Sequence, residues 1–100
     1  MKKEQIITYL KLKKEFLKQE YGITTIGLYG SSARGEATKD SDIDIFYERD
    51  RNFDLKSGLA FLYIGDAMAK DLNVRKVELV RLGSMNPIIK FYAEKDFIYV

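Results

Sequence analysis

Apolar residues recur every three or four positions between residues 4 and about 20, and lysines occupy many of the positions between them. This period is typical of an amphipathic helix with one buried face, and Gly22 provides its end. A second helical pattern runs from about residue 53 to residue 72, although Gly58 and Gly65 within it are weak helix formers. We therefore predict two long helices.

Strand patterns lie between and after these helices. Residues 23–29 are rich in β-forming side chains, residues 42–47 alternate polar and apolar side chains, and residues 74–82 form a third run. A proline suits the first turn of a short helix over about 86–95, and residues 97–100 are typical of a final extended segment. The predicted class is α+β, with a small mixed β-sheet flanked by helices that cover one face.

The composition limits the chemistry that is available to the chain. With 100 residues, 46% of them hydrophobic, the sequence suits one compact domain over residues 1–100. It contains no cysteine and no histidine, which excludes disulfides, thiolate nucleophiles and histidine-bound metals. The remaining chemistry depends on carboxylates, hydroxyls, lysine and arginine. A hard cation that binds oxygen is therefore the metal that these residues favour.

Charge and hydropathy restrict the choice of partners. The formal net charge is +2, from 17 basic and 15 acidic residues that are interspersed. A surface that binds nucleic acid is usually far more basic, so direct binding to nucleic acid is not supported. No apolar run approaches the length that crosses a membrane, and the one after the basic start is too short for a signal peptide. We expect a cytoplasmic protein without a membrane partner.

The chemistry is concentrated between residues 27 and 48, in the sequence GLYGSSARGEATKDSDIDIFYE. A strand that ends in Gly30-Ser31 and turns into a short helix presents backbone N–H groups and a hydroxyl to an anion, which favours a triphosphate site. Residues two apart in a strand share a face, so Asp42 and Asp44 project together at about 7 Å separation. Two carboxylates placed in this way form half of a Mg²⁺ site, and bound phosphates supply the rest.

Other known motifs resemble parts of this segment. A P-loop would need lysine and a hydroxyl residue where Glu36 and Ala37 stand, and an EF-hand would need glycine at Ile45 and glutamate at Arg51. Both motifs are therefore excluded. Phosphatases of the dehalogenase type and many glycosyltransferases also use paired aspartates. In those proteins the apolar strand precedes the carboxylates, whereas here it begins with them.

Gly30-Ser31, ten intervening residues and then Asp42-Ile43-Asp44 resemble the signature of the polymerase-β-type nucleotidyltransferases. The wider segment resembles the minimal branch of that family, known as MNT. The resemblance implies the polymerase-β-type fold, with ATP or another NTP as substrate. It also implies that the two motif aspartates bind Mg²⁺, with two ions possible.

A third acidic residue on a later strand completes the metal site in that family and helps to activate the acceptor hydroxyl. By strand order the resemblance assigns this role to Glu78, where the family usually has aspartate. The predicted catalytic and metal-binding residues are therefore Asp42, Asp44 and Glu78. A second interpretation of Glu78 stays open, in which its carboxylate forms a salt bridge with Arg75 or Lys76.

The predicted nucleotide-binding residues lie in the turn after the first strand and are Gly30, Ser31, Ser32 and Arg34. Arg34 has two interpretations, because a guanidinium can bind phosphate through two N–H groups or can pair with a nearby carboxylate such as Glu36 or Asp40. Both interpretations stay open on the sequence.

Proteins of the minimal branch are commonly antitoxins paired with a helical HEPN-domain ribonuclease toxin, and such pairs can transfer AMP from ATP to a tyrosine of the toxin. The resemblance therefore implies a protein adenylyltransferase that acts as an antitoxin. The alternatives are a catalytically weak module that neutralises its partner by contact, and transfer to a small molecule or RNA. Apolar residues beyond the needs of one core, including Tyr63 and residues 91–100, also predict an interface with a partner or with a second copy of the chain.

Overall fold

The computed structural model describes residues 2–38, 40–55 and 58–100. Its elements are, in chain order, α1 (Lys3–Tyr21), β1 (Ile23–Leu28), α2 (Gly30–Arg34), β2 (Asp42–Arg49), α3 (Gly58–Leu62), α4 (Ile64–Leu72), β3 (Lys76–Arg81), α5 (Pro87–Ala93) and β4 (Ile98–Tyr99). Short 3₁₀ turns over Leu82–Ser84 and Glu94–Asp96 precede and follow α5. The four strands form one mixed sheet in the order β3-β2-β1-β4, so the predicted α+β class is confirmed.

The sheet combines antiparallel and parallel pairing. β2 runs antiparallel to β1 and parallel to β3, and β4 runs antiparallel to β1 at the other side. In the parallel pair, Asp44 is the register partner of Glu78. In the antiparallel pair, Leu28 lies opposite Ile45, so the turn after β1 lies where β2 begins. This topology brings the predicted functional segments to one end of the sheet.

The main core lies between the sheet and helices α1 and α4. Ile6 and Leu10 of α1, Met68 of α4, and Ile43 and Ile45 of β2 are buried in one cluster. Burial of such side chains contributes roughly 1.5–3 kcal/mol each. Because a slip of one residue would move the isoleucines out of the core, this burial also holds β2 in register.

A smaller aromatic cluster packs on the opposite face of the sheet around Phe46, which is fully buried. Its ring centroid lies 4.4 Å from that of Phe97, 5.0 Å from that of Tyr99 and 6.4 Å from that of Tyr29. Gly27 is the register partner of both Phe46 and Tyr99, and a Cβ there would overlap the Phe46 ring and the backbone of β4. The absence of a side chain at this position lets the C-terminal segment pack against the sheet.

The single long helix predicted over residues 53–72 is wrong. The helical part is divided into α3 and α4 at Tyr63, and residues 56 and 57 lie outside the described ranges. Asp50 forms a turn ahead of this region: its carboxylate accepts a hydrogen bond from the N–H of Asn52, and its carbonyl accepts one from the residue after that. Such side-chain contacts compete with the start of a helix, which explains the later onset.

The other predicted elements are confirmed with small shifts of their ends. α1 ends at Gly22, whose N–H donates to the carbonyl of Lys18. β2 is two residues longer than predicted, and β3 is shorter at both ends. Asn86 caps α5 because its side-chain oxygen accepts hydrogen bonds from the N–H groups of Ile88 and Ile89. In the part of the chain that the structure describes, no helix is both long and apolar enough to cross a bilayer.

Candidate active site

The turn after β1 brings the backbone of α2 against β2. Gly30 has a left-handed backbone with φ of 64°, and a Cβ at this position would lie 2.9 Å from the Oδ2 atom of Asp44. Glycine therefore suits this position for its φ angle and for the close approach of a carboxylate. The preceding residue, Tyr29, donates its backbone N–H to the carbonyl of Asp44 at 3.2 Å. The first turn of α2 consequently lies beside the second motif aspartate.

The two serines of this turn have different surroundings. Ser32 is fully buried, and its hydroxyl oxygen accepts a hydrogen bond of 3.0 Å from the backbone N–H of Asp44. Ser31 is only partly buried at the start of α2. Of the two predicted nucleotide-binding hydroxyls, Ser31 is therefore the accessible one, whereas Ser32 contacts the backbone of β2.

The two aspartates of β2 share one face of the sheet, as their spacing predicts. Asp42 and Asp44 alternate along the strand with Ile43 and Ile45, which point into the main core. Glu78 follows from β3 as the register partner of Asp44. The parallel pairing thus brings the third predicted acid beside the second, across a separation of 34 positions in the sequence.

The raised pKa values of Asp44 and Tyr29 indicate that the acids of the site interact. Burial raises the pKa of Asp44 most, and the carboxylates of Glu78 and Asp42 raise it further, while Arg34 acts in the opposite direction. Burial and then the carboxylates of Asp44 and Glu78 raise the pKa of the Tyr29 phenol to about 12. Carboxylates that disfavour one another's ionisation in this way form a cluster that a cation would stabilise.

Two basic side chains at the start of β3 pair with two of the three acids. The Nη2 atom of Arg75 lies 2.6 Å from Oδ1 of Asp42, and Nζ of Lys76 lies 3.1 Å from Oε1 of Glu78. The salt-bridge interpretation of Glu78 is therefore confirmed for Lys76, whereas Arg75 pairs with Asp42. Among the described residues, no three acidic, histidine or cysteine side chains are gathered closely enough to hold a metal ion.

The donor chemistry nevertheless fits a hard divalent cation. Asp42 and Asp44 offer oxygen donors from one face of β2. Burial, and then repulsion by Glu78 and Asp42, raises the pKa of Asp44, and a bound cation would offset both effects. Mg²⁺ usually takes one or two carboxylates from a protein and completes its coordination with phosphates and water. Asp42 and Asp44, with Glu78 beside them, are the residues of this chain that would hold the ion.

Arg34 is engaged by two carboxylates. Its Nε atom lies 2.7 Å from Oε1 of Glu36, and its Nη1 atom lies 2.9 Å from Oδ2 of Asp96. The pairing with Glu36 is one that the sequence allowed. The pairing with Asp96 could not be predicted, because no local pattern marks a contact across 62 positions. Arg34 therefore ties α2 to the 3₁₀ turn that precedes β4.

Comparison with known proteins identifies the family. The sequence profile of the nucleotidyltransferase domain family matches residues 10–100. The chain belongs to this family. This nucleotidyltransferase is 40% identical over 97 residues to MJ1379 of Methanocaldococcus jannaschii, a provisionally named protein adenylyltransferase, covering 96% of this chain and 95% of the relative. It is 32% identical over 97 residues to the protein adenylyltransferase MntA of Thermococcus cleftensis, covering 97% and 94% of the two chains.

Solved structures of nucleotidyltransferases share the fold. The chain superposes with a TM-score of 0.75 on a structure provisionally described as a minimal nucleotidyltransferase, at 23% identity over 98% of this chain and 95% of the other. A chain of a toxin-antitoxin structure with AMP-PNP gives a TM-score of 0.59 at 24% identity, over 89% of this chain and 64% of the other. The predicted polymerase-β-type fold is thereby confirmed, and the family match and the relatives together with this fold confirm the resemblance to the minimal branch.

Proposed function

We propose that this nucleotidyltransferase is a Mg²⁺-dependent protein adenylyltransferase that moves AMP from ATP to a hydroxyl of a partner protein and so acts as an antitoxin. The observation that carries the proposal is that Asp44, which shares one face of β2 with Asp42, lies against the Gly30 turn at one end of the sheet and has Glu78 beside it on β3. Oxygen donors beside a phosphate-binding turn suit phosphoryl transfer without a covalent nucleophile. The names of the relatives support adenylyl transfer as the reaction.

Each group in the site has a separate role in this proposal. The backbone at Gly30 and the hydroxyl of Ser31 bind the triphosphate, and Asp42 and Asp44 hold the metal. When bound, Mg²⁺, as one ion or two, supplies charge stabilisation to the leaving pyrophosphate and lowers the pKa of the acceptor hydroxyl. Glu78 takes up the proton of that hydroxyl. The acceptor oxygen forms a bond to the α-phosphorus as the bond to pyrophosphate breaks in line.

The openness of the site supports a protein as the acceptor. The side chains of Asp42 and Glu78 are 32% and 40% exposed. Two cavities of about 290 and 280 Å³ lie on the helix-covered side of the sheet, and neither is lined by any of the three acids. A hydroxyl on a protruding side chain can reach such a surface from outside. A toxin-antitoxin structure shares the fold, which is consistent with a toxin as the partner. The choice of a tyrosine of a HEPN-type toxin as the acceptor rests on the resemblance to the minimal branch.

Mass spectrometry of the partner purified with this protein from the native host tests the reaction. After incubation with ATP and Mg²⁺, we expect the mass of AMP to be added to a tyrosine of the partner. Excess EDTA, or substitution of both Asp42 and Asp44 by asparagine, should prevent the addition. A partner that stays unmodified under all conditions would contradict the proposal.

An antitoxin that acts only by contact is the second candidate. It is favoured by Glu78, a longer acid than the aspartate that is usual in the family, and by the salt bridge of Glu78 with Lys76. In this case the variant with asparagine at both Asp42 and Asp44 should neutralise the toxin as well as the wild type does. Transfer to a small molecule or RNA would leave the partner protein unmodified and place the AMP on those acceptors instead.

A further inference from the structure

We propose that Arg75 and Lys76 are counter-ions of the carboxylate cluster and make the site selective for a metal that arrives together with a triphosphate. The inference rests on the proposed function, because it takes Asp42 and Asp44, with Glu78 beside them, as the acids that hold the metal. In the absence of a metal, the two basic side chains neutralise Asp42 and Glu78. They give up these carboxylates to the incoming metal and then interact with the phosphates.

The structure places the basic side chains of Arg75 and Lys76 in direct contact with two acids of the site. Arg75 lies just before β3 and Lys76 is its first residue, and Lys76 is the register partner of Asp42. Their nitrogen atoms lie 2.6 and 3.1 Å from the carboxylate oxygens of Asp42 and Glu78, which is the distance of direct ion pairs. The parallel register therefore supplies the cluster with its own positive charges.

The charge balance explains the selectivity. Three ionised acids carry three negative charges, and the two paired cations reduce the net charge of the cluster to about −1. A bare divalent ion gains little from such a cluster and must also displace two ion pairs. A metal bound to a triphosphate brings negative charge of its own, so the displaced cations gain new partners. The same two residues thus oppose the bare metal and favour the metal–nucleotide complex.

Another basic residue near the site, Arg34, is already engaged with other carboxylates. Arg34 uses two of its nitrogen atoms for Glu36 and Asp96 and would have to leave both carboxylates in order to bind phosphate. Arg75 and Lys76 instead form ion pairs with Asp42 and Glu78, the acids that would bind the incoming metal. Phosphate binding by these two residues therefore accompanies metal binding, whereas phosphate binding by Arg34 would require two separate losses.

Titration of the full chain with Mn²⁺, followed by the electron paramagnetic resonance signal of the free ion, tests the inference. We expect Arg75→Gln to tighten Mn²⁺ binding without nucleotide by about 5-fold or more, the effect of one unit charge at contact distance in a water-like medium. Lys76→Gln should act in the same direction. With a non-hydrolysable ATP analogue present, both variants should show a smaller gain or a loss of Mn²⁺ affinity.

Arg51→Gln is the matched control, because Arg51 is exposed and follows the other end of β2. It removes the same charge and should leave Mn²⁺ affinity nearly unchanged. No gain for Arg75→Gln, or an equal gain for Arg51→Gln, would overturn the inference. The failure of the proposed metal site would look different: Asp42→Asn and Asp44→Asn would then bind Mn²⁺ as the wild type does. Thermal unfolding of each variant shows whether it is folded.

Discussion

Asp44 is the residue on which the contacts of the site converge. Its N–H donates to the Ser32 hydroxyl, its carbonyl accepts the N–H of Tyr29, and Glu78 lies beside it on β3. These contacts fix the backbone, while burial and the neighbouring carboxylates raise the pKa of the side chain. The ionised form of Asp44 is therefore held under unfavourable electrostatic conditions, which a bound cation would relieve.

Substitution of Asp44 by asparagine should stabilise the metal-free protein at neutral pH. An acid whose pKa is higher in the folded than in the unfolded state makes stability fall as the pH rises through the folded pKa, and asparagine removes that loss. In EDTA we expect a higher Tm than that of the wild type at pH 7, and a difference that shrinks as the pH falls towards about 4, the ordinary pKa of aspartate. A lower Tm at pH 7 would contradict this assignment.

The same variant, and Asp42→Asn, should each lower nucleotide transfer by at least about 10-fold, because loss of a proposed metal ligand should cost no less than loss of an outer-shell partner. Transfer is measured with labelled ATP and the purified partner. Wild-type rates in both variants would show that these aspartates do not serve catalysis.

The two serines of α2 should respond differently to removal of their hydroxyls. Ser32→Ala leaves the partly buried N–H of Asp44 without its acceptor, which should lower the free energy of unfolding by about 0.5–1.5 kcal/mol in urea denaturation. Ser31→Ala is the matched variant in the same turn, and it should keep the stability but weaken ATP binding. An unchanged urea midpoint for Ser32→Ala would mean that its hydrogen bond contributes little to the position of Asp44.

At the scale of the elements, the sequence was most informative where a pattern is local. The apolar period and Gly22 were sufficient to predict α1, and alternation was sufficient to place Asp42 and Asp44 on one face of β2. The break at Tyr63 was not predicted from the apolar period. The tie between Arg34 and Asp96 could not be predicted, because it is a tertiary contact that has no local signal. The family resemblance pointed to Glu78 as the third acid, and the sequence allowed its ion pair with Lys76, whereas the pairing of Arg75 with Asp42 became visible only with the structure.

The packing of β1 against β4 should depend on Gly27, which lies against both the Phe46 ring and the backbone of β4. Gly27→Ala would push a methyl group into the Phe46 ring and the backbone of β4, and overpacking of this kind costs about 1–3 kcal/mol. Urea denaturation should show the loss. Gly58→Ala is the matched control, because a Cβ at Gly58 meets no atom within 4 Å, and it should be neutral or slightly stabilising. Equal effects of the two substitutions would contradict the packing argument.

At the scale of the whole molecule, the apolar residues divide into those that complete the fold and those that stay exposed. Phe97 belongs to the aromatic cluster around Phe46, so part of the predicted interface over residues 91–100 serves the fold instead. α5 has no buried residue. The large apolar side chains that are exposed on α5 or elsewhere in the C-terminal half are Leu59, Leu62, Tyr63, Ile88, Ile89, Phe91, Tyr92 and Tyr99. The exposed apolar side chains of α5 are of the kind that suits contact with a partner or a second copy of the chain.

Phe91→Ala should weaken binding of the partner, or self-association, by more than about 2 kcal/mol if Phe91 is an anchor of that interface. The side chain is 73% exposed, so the fold itself should be unaffected. Calorimetry with the partner and light scattering of the protein alone measure the two cases. Leu12→Ala is the control, since Leu12 is 78% exposed on α1. A strictly monomeric protein that copurifies with no partner would contradict the interface.

The parallel register of β2 and β3 has a consequence for folding fidelity. If β3 slipped by one residue against β2, Leu79 would take the place of Glu78 on the open face, and the charged side chain of Glu78 would turn towards the main core. Burial of an unpaired carboxylate is so costly that the slipped sheet would be disfavoured. Glu78, the acid that we propose to act in the reaction, therefore also disfavours a sheet whose strands are out of register. The specific activity of a refolded sample should accordingly report the fraction of molecules whose strands have assembled in register.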